Sequence, residues 1–410
     1  MFELAVIGAW AEFAVRWLHV ITAIAWIGSS FYFIALDLGL RKSPSLAPGA
    51  HGEEWQVHGG GFYHIQKYLV APDKLPDHLI WHKWQSYWTW ISGFTLLVLV
   101  YYVGAEFYLI DLEKMELQTW QAVAISVASL GLGWVIYDQL CKSRFGEDNT
   151  RLMVFLFVLL VIMAWGYTQV FTGRAALLHL GAFTATIMSG NVFFIIIPNQ
   201  KIVVADLKAG RTPDAKYGKI AKQRSTHNNY LTLPVLFLML SNHYPLAFAS
   251  DYNWLIAGLV FLMGVTIRHF FNSMHMGQGY KWWTWVATVL LFAGVVMLSV
   301  MGQPKDVAEE EVASLSPAAA RFMNDPAFED VYWTVQGHCS MCHSEEPLWP
   351  GLHWAPKAVV LQTEAQVARA AQAIYLQAGV SHAMPPGSTV LMDDYARQDI
   401  RDWFERNAGS

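Results

Sequence analysis

Residues 282–301 read WWTWVATVLLFAGVVMLSVM, and the ten that follow read GQPKDVAEEE. The first stretch carries no charge and has the length a helix needs to cross about 30 Å of hydrocarbon. The second combines Gly302 and Pro304 with the acidic run 309–311, which hydrocarbon would not accept. The chain changes character near residue 301, and the two sides of that break call for different readings.

Working back toward the N-terminus, seven further apolar runs fill 10–36, 84–103, 119–138, 152–171, 175–197, 230–249 and 253–271. The whole chain is 54% apolar and only 14% charged, against about 25% charged for a soluble domain. That excludes a disordered, fibrous or ordinary cytosolic protein. Lipid offers no partner for backbone N–H and C=O groups, so the runs are predicted helices, and residues 1–302 an eight-span bundle surrounded by membrane lipid. Trp81, Trp84, Trp88, Trp282, Trp283 and Trp285 crowd the run ends, where amphipathic rings anchor at the interface.

Lys and Arg set the orientation. Loops 41–83, 139–151, 198–229 and 272–281 hold sixteen, whereas the alternate loops 104–118, 172–174 and 250–252 hold two, Lys114 and Arg174. The first set is expected in the cytoplasm and both termini outside it. The N-terminus has no basic stretch before its first run, and that run is long enough to span, so a cleaved signal peptide is not expected.

Past the break, residues 303–316 read as a linker and 317–410 as a separate acidic unit. Residues 1–300 carry net +3 and residues 301–410 net −8; neither half is basic enough for a nucleic-acid surface. Three cysteines are too few for a disulfide framework. Two of them stand in Cys339-Ser340-Met341-Cys342-His343, the C-x-x-C-H attachment signature of haem c. Thiols three positions apart on a helical turn both reach the porphyrin vinyl groups, and His343 faces the iron. A second C-x-x-C that would make a zinc site is missing, as is a thioredoxin-like pattern. Met384, in Ala383-Met384-Pro385-Pro386-Gly387, is the expected sixth ligand, because prolines stiffen its loop and Met/His ligation suits an electron carrier. His353 and His382 are the nearby alternatives. The resulting fold class is all-α, an eight-helix membrane bundle plus a C-terminal class I cytochrome c-like domain closed by a helix over 393–407. Haem c is fitted on the outer face of bacterial membranes, which agrees with the orientation from loop charge.

Further strings are Arg16-Trp17-Leu18-His19 leading to Trp26-Ile27-Gly28, Trp81-His82-Lys83-Trp84, and Thr226-His227-Asn228-Asn229-Tyr230-Leu231-Thr232-Leu233-Pro234. Ser241-Asn242-His243-Tyr244-Pro245 comes after them. With a haem c tail after the spans, their order resembles the integral-membrane cytochrome c urate oxidases, also called urate hydroxylases, over essentially the whole chain. The resemblance implies oxidation of urate to 5-hydroxyisourate in a bacterial inner membrane. Electrons would leave through one covalent haem c to a soluble cytochrome c or a terminal oxidase. No glycine fingerprint for a flavin or nicotinamide appears in a strand-turn-helix context.

Ionisable groups inside spans are functional candidates by default. His19 with His179 toward the outer face, and His82 with His269 toward the cytoplasm, are candidate pairs for haem b. The same histidines would otherwise hydrogen-bond between helices or line a substrate path. Urate, a flat monoanionic purine, needs a cation, amide partners, an aromatic face and a base for the attacking water. A cytoplasmic set of His227, Asn228 and Arg268, near Arg224 and Asn229, is the expected catalytic region; Arg16, Arg174, Asn242 and His243 form an outer alternative. His51, His58 and His64 could bind a metal, though at no recognised zinc spacing, and Cys141 reads as packing. The rival to an oxidase is a quinol-linked electron conduit with no organic substrate of its own.

Overall fold

The computed structural model describes residues 4–69, 75–112, 114–301, 315–350, 352, 355–386 and 391–408. The chain is mostly helical, at 71%, in keeping with an all-α class. Helix α1 spans Leu4–Gly39, α2 Trp84–Leu97, α3 Thr119–Lys142 and α4 Asn149–Val170. Helix α5 begins at Gly173–Gly190 and runs through a π turn, Asn191–Ile196, into Ile197–Lys208. Helices α6 (Ala215–Ser241), α7 (Asn253–His275) and α8 (Trp283–Val300) complete the bundle. Asp148, Thr172 and Asp214 cap α4, α5 and α6, each accepting from backbone N–H groups that the helix itself leaves unpaired.

Among the described residues, six helices are long and apolar enough to cross a membrane: Val6–Gly39, Thr119–Lys142, Asn149–Val170, Gly173–Lys208, Asn253–His275 and Trp283–Val300. The other two expected runs take different forms. Run 84–103 is the shorter α2, extended by a π turn, Val98–Tyr102. Run 230–249 does not stay helical: α6 starts at Ala215 and ends at Ser241, and Pro245–Phe248 forms a separate turn. On α8, Val286, Val289 and Leu290 are more than 60% exposed, and apolar patches of that kind mark a surface meant for a non-aqueous neighbour.

The first loop departs from helix. Strands β1 (Ala50–His58) and β2 (Gly61–Tyr68) pair antiparallel, with His58 opposite Gly61. Gly59 and Gly60 have φ of 60° and 81°, which a two-residue hairpin turn demands and glycine supplies without steric cost. His51 and His58 sit seven residues apart on one strand, roughly 23 Å at strand rise, so the first-loop histidines do not converge on a metal. Among the described residues no group of three or more His, Cys, Asp or Glu is arranged to hold one.

Buried Glu53 ties the hairpin down. It accepts from Ser43, from His64 Nε2 at 2.7 Å and from Gln66 at 3.3 Å, and His64 stacks on Trp55. The Ser43 hydroxyl and then His64 hold its carboxyl below the ordinary value of 4.5. A depressed folded value contributes stability above the unfolded pKa and loses it as pH falls through the folded one. Hairpin protection from proteolysis should therefore fade below about pH 4.5, and Glu53→Gln should abolish that pH dependence; limited digestion across pH 6 to 3 checks it.

Helices α3 and α5 lock by exchange. A side chain at Gly133 would meet Phe183 at 2.0 Å, and one at Gly190 would meet the Trp134 indole at 2.1 Å. Each helix thus receives an aromatic ring of the other, which fixes their register. Gly190→Ala should cost about 1–3 kcal/mol by overpacking, read as a lower melting temperature in micelles.

In the tail, α9 (Pro317–Met323), α10 (Phe328–Cys339), α11 (Glu364–Arg369) and α12 (Asp394–Asn407) surround Val331, Val335, Tyr375, Ile400 and Trp403. Trp403 Nε1 donates to Phe322 O at 3.0 Å. Most of the expected linker, 303–316, lies outside the described residues. Among the described residues, two hydrogen bonds join tail to bundle, Ala318 N to Glu106 Oε2 at 3.3 Å and Arg174 Nη2 to Lys357 O at 3.4 Å. Both use loops with few basic residues.

Candidate functional site

Two buried arginines organise the bundle interior, and they differ in one respect. Arg224 on α6, 2% exposed, donates to Asp138 Oδ1 at 2.7 Å, and Lys142 reaches the other carboxylate oxygen at 2.6 Å. Its charge is balanced. Arg268 on α7, 6% exposed, has no carboxylate partner among the described residues. It donates to Asn229 Oδ1 at 3.2 Å and to Asn272 Oδ1 at 3.1 Å, with its guanidinium 4.3 Å from the Phe31 ring. A buried charge without a counter-charge costs several kcal/mol. Asn229, which accepts from it, keeps a buried Nδ2 without a partner.

His227 and Asn228 belong to the Arg224 network. Tyr137 Oη and His227 Nδ1 are 2.7 Å apart, and Asn191 donates to Tyr137 Oη at 3.1 Å and to Asn228 Oδ1 at 3.0 Å. Asn228 Nδ2 donates to Met188 O at 2.9 Å, so both ends of that amide are engaged within the protein. The structure brings His227 and Asn228 together through Asn191. Arg268 faces α1 instead, across α6, where Asn229 is its contact. Sequence reasoning missed Asp138, Tyr137, Asn191 and Asn272. Asp138 carried a usable signal, an acid near the end of an apolar span with Lys142 one turn on.

Arg16 and Arg174 of the outer set both lie within electrostatic reach of His243. Arg16 pairs with Glu12, Asn242 Nδ2 donates to Met239 O at 3.2 Å, and His243 is exposed. Arg174 lies 5.0 Å from the Phe248 ring and lines a cavity of about 530 Å³ with Lys114, Tyr108, Gln169 and Asn253.

The histidines expected to pair have separate neighbours. His19 Nδ1 donates to Thr89 O at 3.0 Å on α2, and His179 Nδ1 donates to Ala175 O at 2.8 Å on its own helix. His179 is fully buried against Tyr101, Tyr167 and Phe171, with Nε2 partnerless. A carbonyl can only accept, so in both residues Nδ1 carries the proton and Nε2 keeps its lone pair. His82 meets the Phe33 ring at 4.8 Å and His269 the Trp283 ring at 6.0 Å.

In the tail, His343 Nδ1 donates to Val359 O at 2.7 Å. That bond aligns the imidazole and leaves Nε2 free for a metal. Cys339 and Cys342 are free and partly buried; burial, then Cys342, pushes the Cys339 thiol up to about 11, so it stands as a neutral S–H. Gly337 opens on empty space. The Met384 backbone is gripped at both ends, its N–H on Gln377 O at 3.0 Å and its carbonyl by Arg397 at 2.9 Å. His382 is exposed, with φ of 55°, and His353 lies outside the described residues. A free Nε2, two thiols and a held methionine fit a covalent haem.

No curated protein and no solved structure matches the chain. A family model described as urate oxidase N-terminal matches residues 5–299, which covers the bundle and stops before the tail. That extent is most of the chain: the protein belongs to the urate oxidase N-terminal family.

Proposed function

We propose that the chain is an inner-membrane urate oxidase with an eight-span bundle, both termini periplasmic, and a class I cytochrome c-like tail. Urate and water yield 5-hydroxyisourate, two electrons and two protons. The electrons leave through a haem c held by Cys339, Cys342, His343 and Met384 toward a soluble cytochrome c or terminal oxidase. When bound, that haem supplies a one-electron acceptor. Arg268 carries the reading, because a buried guanidinium with no anion of its own is a site for a substrate that brings one. Asn229 and Asn272 fix its plane, and Phe31 offers the ring an aromatic face. Haem b in the bundle would be held by His19 and His179, whose Nε2 lone pairs are free.

Anaerobic mixing of the oxidised full-length holoprotein with urate tests this. The haem c band should reduce with urate alone, and a pyridine haemochrome spectrum should show a b-type band beside it. Reduction by a quinol but not by urate would make the protein an electron conduit. A second reading places the purine in the 530 Å³ cavity, which has the size of a small-molecule site and an arginine at its edge. Loss of turnover in Arg174→Ala, with Arg268→Met unaffected, would select it.

A further inference from the structure

The hydrogen-bond chain around Arg224 fixes where the proton of His227 sits. Arg224 has only donors, so the Asn191 atom facing it at 3.2 Å is the carbonyl oxygen. The amide nitrogen of Asn191 then faces Tyr137 and Asn228 and donates to both. Asn228 cannot answer with a donor, since its own nitrogen is spent on Met188 O. Tyr137 Oη receives from Asn191, and its single hydrogen goes to His227 Nδ1. The Cys141 thiol also faces this hydroxyl, but sulfur is the weaker acceptor. A nitrogen that accepts carries no hydrogen, so the neutral imidazole is protonated at Nε2. It is the opposite tautomer to His19, His179 and His343.

His227 Nε2 is buried with no partner, and so are Trp134 Nε1 on α3 and Ser189 Oγ on α5. The first two are donors only in this state. Unpaired buried donors are rare in native interiors, and each asks for an acceptor. The network needs no anion, because Asp138 already balances Arg224.

We infer that His227 Nε2–H is a binding point for a ligand carbonyl oxygen, with Asp138, Arg224, Asn191 and Tyr137 as positioning residues that hold the proton outward. His227 is then a donor to the ligand, not the base that takes a proton from water. Two carbonyl sources fit, a membrane quinone and urate seated on this face of α6 instead of at Arg268. The urate arm rests on the oxidase reading; the quinone arm does not.

The experiment is nitrogen-15 NMR of histidine-labelled, full-length holoprotein in lipid nanodiscs, with His227→Gln for assignment. Nε2 should be the protonated nitrogen, and its resonance should move on adding either urate or a short-chain ubiquinone. Asn191→Asp removes the donor to Tyr137, whose hydroxyl turns to the new carboxylate. The His227 proton should then move to Nδ1, and affinity for the responding ligand should fall about tenfold, the worth of one hydrogen bond. Tyr137→Phe, which leaves Nδ1 without its donor, should mix the two tautomers and serves if the aspartate variant misfolds. An unprotonated Nε2 in the native protein, or an Nε2–H unmoved by both ligands, overturns the inference. Failure of urate to reduce the haem while ubiquinone still moves Nε2–H removes the oxidase reading and leaves this one standing.

Discussion

Arg268→Met should lower urate-driven haem c reduction by at least about a hundredfold while leaving the melting temperature unchanged or raised. Truncating one member of a buried, charge-assisted contact costs about 2–5 kcal/mol, and about 2.7 kcal/mol is a hundredfold. The stability side has the opposite sign, because the residue removed is an uncompensated buried charge and methionine fills a similar volume. Asn272 still donates to Asn229 at 3.1 Å without it. Arg268→Lys keeps the charge but not the planar fork and should fall between. Stopped-flow reduction and a thermal melt on the same preparation, with haem content matched, decide it. A variant that loses stability and activity together would mean that Arg268 is a structural group.

Asp138→Asn should do the reverse. It strands Arg224 in the interior and should cost about 3–5 kcal/mol, the usual penalty for breaking a buried pair from one side. Lys142 is 58% exposed at its side chain and turns to solvent, so it recovers nothing. Arg224→Met in the Asp138→Asn background should restore most of the melting temperature, since it removes the orphaned charge. Thermal melts of the two single variants and the double give the coupling directly. A double variant no more stable than Asp138→Asn would show that the pair is not what holds this layer.

The apolar helices were legible because hydropathy reports them directly, and run 119–138 became Thr119–Lys142 with the same start. The C-x-x-C-H string stands out because its residues are adjacent in the sequence. Helix α6 was half hidden for a physical reason. Its residues 215–229 carry Lys216, Lys219 and Lys222 outward, but the face turned inward is Arg224, His227 and Asn228. A helix polar on both sides has the hydropathy of a loop. The hairpin turn was written in Gly59-Gly60. The distinction between Arg224 and Arg268 could not be read at all, since it depends on a carboxylate 86 residues away from one and on none near the other.

The two bonds from bundle to tail share a trait. Glu106 and Arg174 contribute side chains, whereas Ala318 and Lys357 contribute only main chain. A grip on peptide groups does not read the identity of what it grips. The tail is therefore free to vary its surface, and a substituted tail of the same backbone would seat on the same two contacts.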